Sequence, residues 1–385
     1  MIKFVIYTHE FLPYSGGVGT YCAELAKALK KADHDVEVWA PDYLSSQPND
    51  KNLCYSIKRI SNPGTLKIPS LIGMGWHLYK ALNDLKGKMI ILPSVGVQIV
   101  FMVGYLLRLI PHELVKNCIC IWHGSEIFKF ESNSLLNLAS RNFFHRVHML
   151  ASASKYSSRN IYGSILSELT SRIVTLPCAC SSAAIRDDVT TESEPEGRIR
   201  ILTLARIHHR KGHFEIIAAL NKLPQELKDR VIYYVAGNAD GPKTKRYLGE
   251  LRMESRRNKI NMKYLGSIAE EDLAQVYRNC EIYAMTSRTL KTSVEGFGIT
   301  YLEAGYHEKP VIAYRTGGVA EAVKNGETGI LIDEGDRETL AKELEKLILD
   351  ESLRKSLGQA GRAHAKNFSW DNTAQKLIEE LQKRD

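Results

Sequence analysis

The sequence predicts an α/β protein made of two doubly wound domains, on three observations. The chain has 385 residues, more than one hydrophobic core usually serves. Short apolar runs alternate with helical stretches twice over, which is the pattern of parallel strands joined by crossover helices. Between the two series lies "SSAAIRDDVTTESEPEGR", polar and acidic, with Pro195 and Gly197. It reads as a boundary over residues 181–197.

The elements follow in order. "IKFVIY" is an apolar strand, and "LPYSGGVGT" is a loop. Tyr21, Leu25, Ala28 and Leu29 recur at helical spacing, and "DVEVWA" is the next strand. "MIILPS", "NCICIW" and "RIVTLP" continue the first series. The second series runs "RIRILTLA", a helix over about 212–220, "VIYYVAG", a helix over about 245–256, "MKYLG", "EIYAM", "PVIAY" and "GILI". A last helix over about 369–385 opens with Ser369 as its cap. Domains of this kind hold ligands beyond the C-terminal ends of their strands.

Composition narrows the function. Hydrophobic residues at 44% and charged residues at 25% describe an ordinary globular chain. The formal charge of +8 favours acidic partners, among them phosphorylated small molecules and anionic lipid surfaces. The Lys and Arg residues form no dense stripe and no recognition motif, so nucleic acid is not expected. Seven cysteines at no framework spacing read as reduced thiols, and none has partners at metal-binding spacing. The chain opens directly on a strand, and the apolar run Val95 to Leu107 is too short to span a bilayer. A cytoplasmic protein, soluble or peripheral to the membrane, is expected.

The chemistry concentrates in a few short stretches. "SGGVGTYCAEL" follows a strand and opens a helix, the setting in which backbone N–H groups receive an anion. It reads equally as glycines making a tight turn. It is no dinucleotide fingerprint, because Cys22 stands where the third glycine belongs, which counts against an NAD-dependent dehydrogenase. "VEGFGITYLEAG" carries Glu295 outside a helix that begins near Gly298 and Glu303 inside it. Two glutamates near a helix are usually a solvated face, but Glu303 stands among apolar neighbours, and buried carboxylates need partners. "LARIHHRKGH" offers Arg206 after a strand and Lys211 before a helix, suited to a diphosphate; Arg210 reads as a surface charge. His123 ends a strand in "WHGSE", either as a structural hydrogen bonder or facing a ligand.

With those residues assembled, the chain resembles a retaining glycosyltransferase of family 4, in the mannosyltransferase-like branch. "EGFGITYLE" matches the family's Glu-x7-Glu signature, and "ARIHHRKG" its Arg…Lys-Gly segment. "SGGVGTYCAEL", "WHGSE" and "NFSWDNTAQKL" match its glycine loop, His loop and terminal helix. The resemblance implies the GT-B architecture, two Rossmann-like doubly wound domains facing a central cleft. Residues 1–185 would bind acceptor, 198–368 would bind the nucleotide sugar, and the 369–385 helix would cross back to the first domain. It implies that Arg206 and Lys211 hold the diphosphate, that Glu295 takes donor sugar hydroxyls and that Glu303 holds the ribose. His123, Gly16 and Gly17 would lie by the transferred sugar. The amides of Phe297, Gly298 and Ile299 would contact sugar and phosphate, and Gly266, Ser267 and Ile268 would meet the base. No metal and no cofactor are implied, since the two cations take the place of a divalent ion.

"TLPCACSS" departs from the family's Pro-Asn-Gly at Cys178-Ala179, which leaves that turn open. GDP-mannose is the first expectation for the donor, with UDP-glucose and UDP-N-acetylglucosamine as alternatives. The acceptor is expected to be a glycan or lipid-linked hydroxyl in surface polysaccharide or glycolipid synthesis. A non-catalytic nucleotide-sugar-binding protein is the competing class. "LLNLASRNFFHRVHML", residues 135–150, reads either as an amphipathic helix for an anionic membrane surface or as a domain helix with a solvated basic edge.

Overall fold

The computed structural model describes residues 1–384 except 14–15, 43–49, 61–66, 125–129, 131–133, 161–166, 187–197 and 292. Most of the boundary stretch 181–197 therefore lies outside the described residues. The chain divides into two compact units, Met1–Cys178 with Ser369–Asp385, and Ala179–Phe368.

The first unit is a seven-stranded parallel sheet in the order β3-β2-β1-β4-β5-β6-β7. Its strands are β1 (Lys3–Tyr7), β2 (Asp35–Pro41), β3 (Ser56–Ile60), β4 (Met89–Leu92), β5 (Cys118–Trp122), β6 (Met149–Ser152) and β7 (Ile173–Thr175). Central strands of such a sheet are covered on both faces and read as unbroken apolar runs; β5, "CICIW", is buried throughout. Helix α1 (Gly17–Lys31) follows β1, and α2 (Ile68–Lys80) and α3 (Val95–Leu106) pack against each other. The polar interruption of α3 has a structural use. Buried Gln98 donates to the carbonyls of Leu92 (2.9 Å) and Ile121 (3.2 Å) and accepts from the Trp122 indole (3.0 Å). It thereby satisfies backbone groups at the ends of β4 and β5 that would otherwise be buried unpaired.

The last helix, Trp370–Gln382, completes this unit. Ser369 caps it, its hydroxyl accepting from the Asp371 and Asn372 amides. Trp370 meets Tyr21 of α1 edge-on at 5.0 Å, and Thr373 donates to the Pro177 carbonyl at 2.8 Å. The helix over Ser134–Phe144 packs into this unit through its C-terminal residues. Phe143 and Phe144 are fully buried in the core, and Leu138 is left exposed.

The second unit is a six-stranded parallel sheet in the order β10-β9-β8-β11-β12-β13. The strands are β8 (Ile199–Leu204), β9 (Val231–Ala236), β10 (Met262–Gly266), β11 (Ile282–Met285), β12 (Val311–Tyr314) and β13 (Gly329–Ile332). The strand order reverses between β8 and β11, the switch point beyond whose strand ends open α/β sheets hold ligands. The segment just after Cys178 is tied to this unit. Ser181 donates to Glu303, and His307 Nε2 meets the Ala184 carbonyl at 2.5 Å. No helix among the described residues is long and apolar enough to cross a membrane.

Candidate active site

The two loops that flank the β8/β11 reversal converge. The loop after β8 makes a single tight turn over His209–Lys211, in which His208 accepts the Arg210 amide. Gly212 then adopts φ 76°, a left-handed conformation that favours glycine. A Cβ at this position would run into the Thr286 carbonyl oxygen, and Thr286 also donates its hydroxyl to the Gly212 carbonyl at 2.9 Å. This close approach clamps Lys211 against the end of β11.

The loop after β11 supplies the carboxylate. Glu295 Oε2 accepts from Lys211 Nζ (2.7 Å), Ser287 Oγ (2.8 Å) and an Arg210 guanidinium nitrogen (3.1 Å). No bond to Oε1 is made among the described residues. The Glu295 carbonyl accepts the Gly318 amide at 2.9 Å, and Thr316 donates to the Ser287 carbonyl at 2.9 Å. The carboxylate is thus held by its side chain and its backbone.

Charge explains the protonation states. Burial alone would raise the Glu295 pKa, but Lys211, Arg210 and the bonds from Lys211 and Ser287 outweigh it and draw it down to about 2. Burial lowers the Lys211 pKa, Glu295 opposes this, and Arg210 and Arg206 lower it further. Arg206 is exposed beyond the end of β8 and acts on Lys211 through its field. Two cations thus contact one carboxylate, and a third acts on Lys211 from further out, an excess of positive charge suited to an incoming polyanion. Lys211 and Glu295 are in direct contact, while Arg206 stands apart from the pair. Arg210, which reads as a surface charge in the sequence, is mostly buried and bonded to Glu295, since the tight turn swings its side chain inward.

Gly298, at φ 88°, precedes a helix over Ile299–Tyr306, so the amides at the start of that helix lie just past Glu295. Helical spacing does not relate the two glutamates, because Glu295 lies before the helix. The Phe297 ring is buried against Phe368 at 5.6 Å, leaving its backbone for any ligand contact. Glu303 is buried. Its Oε1 accepts from the Ser181 amide (3.1 Å) and hydroxyl (2.6 Å), and its Oε2 from the Tyr277 hydroxyl (2.7 Å). Ser181 and Tyr277 carry no motif that sequence reasoning could use, and Ser181 falls in the stretch read as a linker. Gly266 ends β10 at φ 79° and accepts the Gly237 amide at 2.7 Å; Ser267 is exposed and Ile268 partly so.

In the first unit, the Gly16 amide donates to Glu10 Oε1 at 2.5 Å, so a carboxylate from the same chain sits at the start of α1. Gly17 is exposed as the first residue of that helix. The His123 ring meets Tyr21 edge-on at 4.8 Å. Burial pulls its pKa down to about 4 against a bond to the Pro93 backbone, so it is neutral near pH 7. Sequence reasoning missed His9, whose Nδ1 lies 2.6 Å from Ser94 Oγ at the ends of β1 and β4, where this sheet reverses. Ser125 and Glu126 of the "WHGSE" loop lie outside the described residues. Among the described residues no group of three His, Cys, Asp or Glu side chains is arranged to hold a metal ion.

These features set a pH dependence of stability. His213, fully buried beside the Lys211 loop, is held down to about 3 by burial first and by Lys211 next. The folded values of His123 and His213 lie below the ordinary 6.5, so the unfolded chain binds more protons below that pH. Stability is therefore fully present above pH 6.5 and is lost as pH falls towards the folded values near 4 and 3. Thermal scans over this range are expected to show a falling midpoint. His213→Phe, similar in shape and unable to titrate, flattens the decline.

Two doubly wound parallel sheets, the second with a cationic cluster and a carboxylate at its strand reversal, define a glycosyltransferase of the GT-B class. The chain belongs to glycosyltransferase family 4. The family model described as "Glycosyltransferase Family 4" matches residues 15–178, and that described as "Glycosyl transferases group 1" matches residues 185–364. The chain is 24% identical over 406 aligned residues to a GDP-mannose-dependent alpha-(1-6)-phosphatidylinositol monomannoside mannosyltransferase of Mycobacterium tuberculosis, covering 100% of this chain and 99% of that protein. Among solved structures it is similar to a sucrose-phosphate synthase from Thermosynechococcus elongatus, with a TM-score of 0.78 at 19% identity, covering 100% of this chain and 99% of that one. It is also similar to Anabaena HepE in complex with UDP-glucose, with a TM-score of 0.74 at 18% identity and full coverage of both chains.

Proposed function

We propose that this glycosyltransferase transfers a mannosyl group from GDP-mannose to a hydroxyl of a lipid-linked acceptor, with retention of configuration. The observation that carries this reading is the cluster in which Lys211, Arg210 and Ser287 converge on one oxygen of Glu295. The full-length similarity to a GDP-mannose-dependent enzyme with a phosphatidylinositol-based acceptor supports the donor and the acceptor class.

The chemistry follows from where charge develops. The bond between the anomeric carbon and the donor phosphate oxygen breaks, and its electron pair stays on the departing diphosphate. Lys211 and Arg206 stabilise that charge as fixed cations in a partly dry site, and Arg210 joins them. Glu295 keeps Lys211 and Arg210 in place through Oε2 and offers Oε1 to the sugar hydroxyls. Amides of Gly298 and Ile299 meet the sugar and phosphate at the helix start, with the amide of Phe297 beside them. The acceptor hydroxyl attacks the face that the diphosphate leaves, and its proton passes to the freed phosphate oxygen, the base formed in the same step. Glu303 takes the ribose hydroxyls; Gly266, Ser267 and Ile268 meet the base. In the first domain His123, neutral, donates or accepts at the sugar, with Gly16 and Gly17 beside it. The reaction in this reading needs no metal.

A second donor class is favoured by one observation, the likeness in fold to a UDP-glucose complex. Calorimetric titration with GDP-mannose, UDP-glucose and UDP-N-acetylglucosamine, without metal and then with Mg²⁺, separates them. GDP-mannose is expected to bind at least about tenfold tighter than either UDP sugar, a difference of about 1.4 kcal/mol. Preference for a UDP sugar overturns the donor, and binding without turnover on any lipid-linked acceptor favours a non-catalytic protein.

A further inference from the structure

Helix α2 is apolar on both sides. Met74 and Leu78 point into the core of the first unit. Ile68, Ile72, Trp76 and Tyr79 recur at helical spacing on another face and are 73%, 67%, 60% and 51% exposed. The outer face of a domain helix is ordinarily polar. Helix α3, packed against α2, leaves Val103 and Leu106 exposed, and the turn that follows adds Leu107 and Leu109.

The charges beside this face have one predominant sign. Helix α2 contains no acidic residue, and exposed Lys67 and Lys80 stand at its two ends. Lys80 Nζ lies over the Trp76 ring, 4.8 Å from its centre, so a cation adjoins the exposed aromatic face. Exposed Arg108 stands between Leu107 and Leu109. The nearby acids are already engaged, Asp84 with Lys58 and Glu113 with Lys116. An apolar helix face carrying Trp and Tyr with cations at its ends matches the boundary between acyl chains and anionic headgroups. A second copy of the chain would bring the same lysines against their like.

We propose that the exposed face of α2, with the adjoining end of α3, docks the protein on an anionic lipid surface. Docking rests on this geometry alone; that it brings a lipid-linked acceptor to the enzyme rests on the proposed function. The face lies on α2 and is separate from the 135–150 stretch.

Trp76 makes the test direct. The chain has four tryptophans, and Trp39, Trp122 and Trp370 are buried, so a change in emission on contact with lipid reports Trp76. The full chain is mixed with vesicles of phosphatidylcholine alone and of phosphatidylcholine with phosphatidylglycerol. Co-sedimentation and a blue shift are expected with the anionic vesicles, weakened by salt. Ile68→Ser with Ile72→Ser is expected to cut vesicle affinity about tenfold. Lys67→Gln with Lys80→Gln is expected to abolish the preference for phosphatidylglycerol. Both pairs should leave the thermal midpoint and donor binding unchanged. No sedimentation, or sedimentation indifferent to the Ile pair, overturns the proposal. So does a blue shift that grows with protein concentration in the absence of vesicles, which assigns the face to a second copy. Donor titration on the same preparation reports separately on the transferase reading.

Discussion

Lys211→Met is expected to lower kcat/KM for glycosyl transfer by about 10²–10³, the range found when one preorganised group stabilising a developing negative charge is removed. Methionine keeps the length and apolar stem of lysine, so the clamp between Gly212 and Thr286 stays closed. Glu295 retains Arg210 and Ser287, so it is not left as an unpaired buried charge. The fold should survive, with a midpoint a few degrees lower. Glu295→Gln is the companion variant. If Lys211 acts on the diphosphate and Glu295 on the sugar, the double variant is worse than either single one. If Lys211 serves only to hold Glu295, the double variant is no worse than Glu295→Gln alone. Steady-state kinetics on the four proteins decides between these outcomes. Activity within a factor of a few of wild type in Lys211→Met removes Lys211 from the mechanism.

The second large effect is at Glu303, where folding and binding must be separated. Glu303→Ala strips the acceptor from three donors, the Ser181 amide, the Ser181 hydroxyl and the Tyr277 hydroxyl. At about 1–3 kcal/mol for each buried group left unsatisfied, a total cost of about 3 kcal/mol or more is expected. That corresponds to a fall in thermal midpoint of about 6–12 °C in a unit of this size. Glu303→Gln keeps an acceptor for Ser181, and the Tyr277 hydroxyl can turn to accept from the new amide, so the fold should hold. A ribose held by Glu303 then loses its charged acceptor, and donor affinity is expected to drop about tenfold. Donor binding by Glu303→Gln equal to wild type would make Glu303 a structural residue and remove its ribose role. Ser181→Ala gives the complementary result. If ribose and Ser181 compete for Oε1, removing the hydroxyl tightens donor binding.

Much of this was legible in the sequence because it was carried by repetition. Strands β5 and β12 are short apolar runs between helical stretches, and burial on both faces of a parallel sheet produces that signature. Strand β3, "SIKRI", lies at the sheet edge and is only partly covered, so its polar composition concealed it. Strand β6, "MLAS", disappeared into the apolar stretch that precedes it. In the site, Lys211 and Glu295 were legible because each stands beside a glycine at a strand or helix end. The burial of Arg210 was not, since a single tight turn brings both neighbouring cations inward onto Glu295. Ser181 and Tyr277 were invisible for a related reason. Each meets Glu303 only through tertiary folding, from 122 and 26 residues away.

The helix that begins at Trp370 has a consequence for how the protein is made. It lies against α1, and Tyr21, Pro177 and Arg172 all await partners from Trp370, Thr373 and Arg384. A ribosome releases Ala179–Phe368 before it releases that helix. The second unit can therefore close first, while the first stays open along one flank until that helix has emerged. Of the two units, the one translated first is completed after the other, and its unsealed flank is the surface a chaperone would meet on the nascent polypeptide.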